Sequence, residues 1–153
     1  MVPKYTIYEA KQKIEAYCAY QERSAFEVSK KLTEWGIYSE DIDQLLADLI
    51  VNNFLNEERF ARAYVSGKFR IKKWGRKKIL PGLKQKQISD YSIRKGMEEI
   101  DEDDYLITLN ELAAKKNSKP TNTLTWDEKA KLTRYLQSKG YEYELINAVV
   151  FKE

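Results

Sequence analysis

Between Glu58 and Asp90 the chain carries eleven cations and no carboxylate: Arg59, Arg62, Lys68, Arg70, Lys72, Lys73, Arg76, Lys77, Lys78, Lys84 and Lys86. Over all 153 residues 27 Lys+Arg stand against 24 Asp+Glu, so outside this stretch the acids outnumber the bases. Such a block recognises a polyanion, or an acidic protein surface, rather than making or breaking bonds. Exposed helices ordinarily mix signs, because Glu–Lys pairs four apart help them and like pairs oppose them by a few tenths of a kcal/mol. Giving up every such pair favours polyanion contact over a merely solvated face, with Arg70, Lys72, Lys73, Arg76, Lys77 and Lys78 closest to the anion. Trp74, amid these charges, could stack on a base or a guanidinium, or cover the edge of a helix-pair core.

Little else can do chemistry. Zero histidines remove the Ser-His and Cys-His nucleophile pairs, the imidazole base and the usual zinc sites. Neither glycine-rich phosphate loop occurs, so no nucleotide cofactor and no catalytic residue is expected. Glu98, Glu99, Asp101, Glu102, Asp103 and Asp104 invite a metal reading, but they lack the loop spacing and glycine of a calcium site. They read instead as a charge cluster at a helix start, and no metal is expected. The single cysteine, Cys18, excludes an internal disulfide and sits on an apolar face. No apolar run nears the ~20 residues that span a bilayer, and Met1-Val2-Pro3-Lys4-Tyr5 lacks the apolar stretch of a signal peptide. The expectation is a cytoplasmic monomer with no membrane partner.

The elements that must hold the cations are helices throughout, since apolar residues recur at three and four and only six glycines and three prolines interrupt them. Thr6-x-x-Glu9, Ser24-x-x-Glu27 and Thr125-x-x-Glu128 are capping boxes at helix starts. Ala10, Ile14, Tyr17 and Cys18 share one face; Ala25, Val28, Leu32 and Trp35 share the next, which Gly36 ends in the left-handed conformation; Ile42, Leu45, Leu46, Leu49 and Ile50 form the third, with Asn52-Asn53 as its stop. Val28, Leu32, Gly36, Ile37, Ile42 and Leu46 recur as Leu132, Leu136, Gly140, Tyr141, Ile146 and Val150, and more weakly as Ile79, Leu83, Gln87, Ile88, Ile93 and Met97.

Three tandem three-helix repeats follow, over 1–53, 54–101 and 102–153, in an all-α chain. The central repeat is the basic one. Its first helix, from Glu57 behind Asn56, carries Phe60, Ala61, Tyr64 and Val65 and runs toward Lys73, where Gly75 breaks it. Its second carries Ile79 and Leu83 and should bend or break at Pro81-Gly82. The third repeat opens on acids and continues through Leu106, Leu109, Leu112 and Ala113. Asn117 to Thr125, with Pro120, is a loop. Trp35 and Trp126, at helix ends, are packing residues.

Glu57-Glu58-Arg59-Phe60-Ala61 with Tyr64-Val65, Lys68, Gly75, Ile79, Leu83 and Ile88, followed by Lys129-Ala130-Lys131-Leu132, Arg134, Leu136, Lys139-Gly140-Tyr141 and Ile146, resembles the RecX family of bacterial recombination regulators. The resemblance implies a curved, elongated chain of three three-helix repeats. It also implies binding to the RecA–DNA filament that restrains RecA's ATPase and strand exchange, with no catalysis of its own. The DNA, single- or double-stranded, would be contacted largely without regard to sequence. Gln87 stands where the family carries glycine after lysine, and Pro81-Gly82 replaces helix-forming residues. The alternative reading is a stand-alone helical nucleic-acid-binding module.

Overall fold

The computed structural model describes residues 2–117 and 119–151, so Met1, Lys152 and Glu153 at the ends of the expected repeats, and Ser118 in the expected loop, lie outside it. Among the described residues there are nine α-helices and no strand. In chain order they are α1 (Ile7–Tyr20), α2 (Ala25–Glu34), α3 (Ser39–Val51), α4 (Glu57–Arg70), α5 (Arg76–Gln85), α6 (Asp90–Met97), α7 (Glu102–Lys116), α8 (Trp126–Ser138) and α9 (Tyr143–Val150). They group as three units of three.

Local chemistry sets where the helices start. All three capping boxes form, and Asn56, Ser89 and Asp101 cap α4, α6 and α7 by accepting a backbone N–H. The corner between second and third helix is left-handed in every unit: Gly36 at φ 77, Gln87 at φ 59 and Gly140 at φ 98. Past the end of α3, Asn53 is also left-handed, at φ 64, so the helix stops at Asn52-Asn53.

The first unit has its own core, built on Ala10, Ile14, Cys18, Val28, Leu32, Ile37, Ile42, Leu45, Leu49 and Leu55. The second and third units share a single core that runs from Phe60 to Val150. Burial pushes the Cys18 thiol up to about 11, which leaves it unreactive at neutral pH. The accessible surface is 9576 Å², against about 8,000 Å² for a compact monomer of this mass; the chain is elongated.

Several expected positions differ. Ala25 is exposed, because as first residue of α2 it precedes the Val28–Leu32 stripe. Ile50 is 58% exposed, one residue round from the Ile42–Leu45–Leu49 stripe. Leu106 is likewise on the outside, and its neighbour Tyr105 takes the buried place with Leu109 and Ala113. Trp126 is 74% exposed at the first turn of α8, with its ring against Phe151 at 5.3 Å rather than in the core.

The central unit departs in two ways. Gly75 does not break α4: the helix ends at Arg70, Lys73 makes the turn at φ 60, and Gly75 caps α5. Nor does Pro81 break α5, which runs unbroken from Arg76 to Gln85. Pro81 lies on the solvent face, so the carbonyl its missing N–H would have served, that of exposed Lys77, faces water. Fully buried Ile79 and Leu83 hold both sides of it to the core. Gly82 makes room for Tyr64, whose Cζ would lie 2.9 Å from a Cβ there.

Candidate nucleic-acid interface

The eleven cations fall into two groups once their contacts are known. Four are held by carboxylates. Arg59 bonds Glu22 at 2.5 Å and Asn53 Oδ1 at 3.0 Å, tying the second unit to the first. Arg62 meets Glu58 at 3.1 Å, Glu99 at 3.6 Å and Glu98 at 3.9 Å. Arg76 bonds Glu142 at 2.9 Å and also Glu102, while Lys86 reaches Glu27 at 3.5 Å. The acidic run thus supplies partners for Arg62 and Arg76, and Asp101 caps α7. No group of carboxylates set to hold a metal occurs among the described residues.

The other seven, Lys68, Arg70, Lys72, Lys73, Lys77, Lys78 and Lys84, make no ion pair with a carboxylate among the described residues. Arg70 bonds the Glu99 carbonyl at 3.0 Å from the end of α4. The Lys68 and Lys78 ammonium groups stand 4.7 and 4.5 Å from the Trp74 ring centroid. Trp74 packs half-buried against the core, so it covers the helix-pair edge and also orders two cations on its ring.

An eighth cation, Lys139, was not among the expected site residues. It arrives from the end of α8, where its ammonium donates to the Lys72 carbonyl at 3.1 Å. Burial lowers its pKa, and the charges of Lys78 and Lys72 lower it further. The only signal in the sequence is its place before the corner glycine of the third repeat.

These cations sit on a stiff joint. The Gly75 N–H donates to Lys139 O at 2.7 Å, the Lys77 N–H to Gly140 O at 2.9 Å and the Tyr141 hydroxyl to Lys73 O at 2.9 Å. Carbonyls at the negative end of α8 thus meet N–H groups at the positive end of α5. Below them the buried Tyr105 hydroxyl accepts from the Arg76 N–H at 2.9 Å and donates to Glu142 at 2.5 Å. Burial first, then the Glu142 carboxylate, pushes the Tyr105 phenol up. Burial works against the Arg76 charge, but Glu102 and Glu142 outweigh it and the guanidinium stays protonated. With the α5 N–H groups taken, an anion here meets side-chain cations: Lys72, Lys73, Lys77, Lys78 and Lys139 around one turn.

The Gly75–Lys139 bond has a counterpart at the equivalent corner of the first unit, where the Lys4 N–H donates to Trp35 O at 2.7 Å and Tyr5 packs edge-on to Trp35. The repeat extends to how these corners receive a neighbouring segment.

Residues 10–49, 56–97 and 102–150 match, in order, the first, second and third three-helix domains of RecX. Regulatory protein RecX of Clostridium perfringens (strain SM101 / Type A) is 34% identical over 126 residues, covering 81% of this chain and 58% of that protein. Regulatory protein RecX of Lactobacillus johnsonii is 29% identical, covering 88% of this chain and 50% of its own length. The match therefore spans 58% and 50% of the length of these two relatives. The crystal structure of RecX from Lactobacillus salivarius has the same fold, with a TM-score of 0.83 at 23% identity and 95% of each chain covered. With three domain matches in order on the three helical units, the chain belongs to the RecX family.

Proposed function

We propose that this protein is a non-enzymatic regulator that lies along the RecA–DNA filament and modulates, chiefly by inhibition, RecA's ATPase and strand exchange. The observation that carries the reading is the one-signed surface at the joint of the second and third units, in a chain of the RecX family. Lys68, Arg70, Lys72, Lys73, Lys77, Lys78 and Lys139 stand there without a carboxylate. Phosphates held by such side chains release counterions, which gives affinity without base reading and suits DNA of either strandedness. Arg59, Arg62, Arg76 and Lys86 belong to the scaffold in this reading, and Lys84 to the margin.

The mechanism is occupancy: the cationic joint holds the polyanion while the outer units meet neighbouring RecA subunits and slow their turnover without touching nucleotide. The protein acts as a monomer in the cytoplasm; no described helix is long and apolar enough to cross a membrane. The test is RecA ATPase on single-stranded DNA with increasing amounts of this protein. A progressive fall is expected, and unchanged activity over a wide stoichiometric range would sink the proposal. If the protein holds naked DNA as tightly as the filament, the stand-alone module replaces it.

A further inference from the structure

The joint between the first and second units repeats the layout of the joint between the second and third, yet it stays open. Where the closed joint has Gly75 and Gly140, the repeat register puts Ser24 and Gln87. Both carry a Cβ, and Ser24 is already engaged, its N–H and hydroxyl bonded to Glu27 at 3.0 and 3.2 Å. The Lys86–Glu27 pair spans the gap, with clefts of about 480 and 410 Å³ on either side.

The larger cleft has a floor made by one face of α4, Ala63, Tyr64 and Gly67, and by Ile71 just past its end, which is 78% exposed. Gly67 is the glycine this chain does not itself require. Gly36 and Gly140 have positive φ, Gly75 is crossed by Gly140, Gly82 by Tyr64 and Gly96 by the Ala61 main chain. A Cβ on Gly67 would meet nothing within 4 Å. Glycine inside a helix is less stable than alanine, so this position carries a cost that no contact within the described residues explains. Lys68 and Lys72, at the edge of the basic surface where it borders the cleft, line it without carboxylate partners among the described residues, whereas Glu22 and Glu27 opposite are neutralised by Arg59 and Lys86. The field is positive over an apolar floor. A phosphodiester backbone would use the lysines and leave the floor empty; an acidic polypeptide with an apolar side chain uses both.

Resting on the filament reading above, we infer that this cleft receives an acidic, apolar-bearing segment of the filament's protein subunit, its main chain passing over Gly67. Gly67→Leu starts from a Cβ with open space around it and lays its apolar branch over the floor. Its thermal midpoint should equal or exceed that of the parent and its affinity for naked single-stranded DNA should stay within about twofold, while affinity for RecA filaments falls about tenfold or more. A photo-crosslinker replacing Ile71 should label an Asp/Glu-rich RecA peptide. Undiminished filament binding by Gly67→Leu overturns the inference. So does an equal loss on naked DNA, or a crosslink from position 71 to DNA alone, either of which makes nucleic acid the occupant. A parent protein that fails to bind filaments overturns the filament reading itself, a distinguishable result.

Discussion

Gly75 and Gly140 meet main chain to main chain, so closely that a Cβ on Gly140 would lie 2.5 Å from the Lys78 Cβ and one on Gly75 2.6 Å from the Tyr141 nitrogen. Neither neighbour can retreat, since both belong to the backbone-bonded joint. Gly140 also has φ +98. Gly140→Ala should therefore lose about 2–5 kcal/mol, combining left-handed strain of about 1–2 with overpacking of about 1–3. Urea unfolding measures it, and weaker DNA binding should accompany the loss as Lys139 moves away from Lys72 and Lys78.

Gln87 holds the same left-handed corner at φ 59 without being glycine. Gln87→Gly removes strain of about 1–2 kcal/mol but adds freedom to the unfolded chain, so a net gain of about 0.5–1 kcal/mol is expected. A higher urea midpoint at unchanged slope is the signature; a lower midpoint would show that the Gln87 side chain contributes more than the strain.

Lys72, Lys73, Lys77 and Lys78 are exposed and make no ion pair among the described residues. Reversing all four to Glu should abolish DNA binding with little loss of folding stability. For the parent, if about six phosphates are neutralised, affinity for a duplex should drop roughly a thousandfold or more between about 50 and 200 mM salt. A titration flat in salt would remove direct phosphate contact.

Arg76 should behave in the opposite sense. Its guanidinium is three-quarters covered and joins Glu102 on α7 to Glu142 before α9. Arg76→Gln leaves Glu142 half-paired and should lower stability by about 2–3 kcal/mol. DNA affinity measured on the remaining folded fraction should change only slightly.

Glu57 accepts from the Ser92 hydroxyl at 2.7 Å and from that of Ser89, fastening the start of α4 to the start of α6. Burial pushes its carboxyl up, but the two serines outweigh burial and hold it below the ordinary 4.5. Because the folded value is the lower one, its contribution is complete above the unfolded pKa and disappears as pH falls through the folded one. The stability gap between parent and Glu57→Gln should be widest at neutral pH and narrow as the pH falls below the ordinary 4.5. Unfolding curves on either side of that value decide it.

What the sequence made legible was local. The capping boxes, the corner glycines and the repeat register each depend on residues within a few positions of one another, and the helices follow them. Tyr105 was hidden because Leu106 is more apolar, and nothing local announces that Glu142 and the Arg76 N–H will satisfy a buried hydroxyl from 37 and 29 residues away. The same distance hid the carboxylates that meet two of the cations: Arg59 finds Glu22, and Lys86 finds Glu27, only after folding. Lys139 entered the basic surface by the same route.

The division into one private core and one shared core bears on synthesis. The first unit holds its full apolar set by Leu55, so a growing chain can close it while later residues are still being added. The second unit has no such independence, because Phe69 and Ile79 belong to a cluster completed by Tyr141, Ile146 and Val150. Its cationic helices are therefore made before they can be held in place, and a chain cut near residue 100 would carry a finished first unit followed by an unsettled, strongly basic segment.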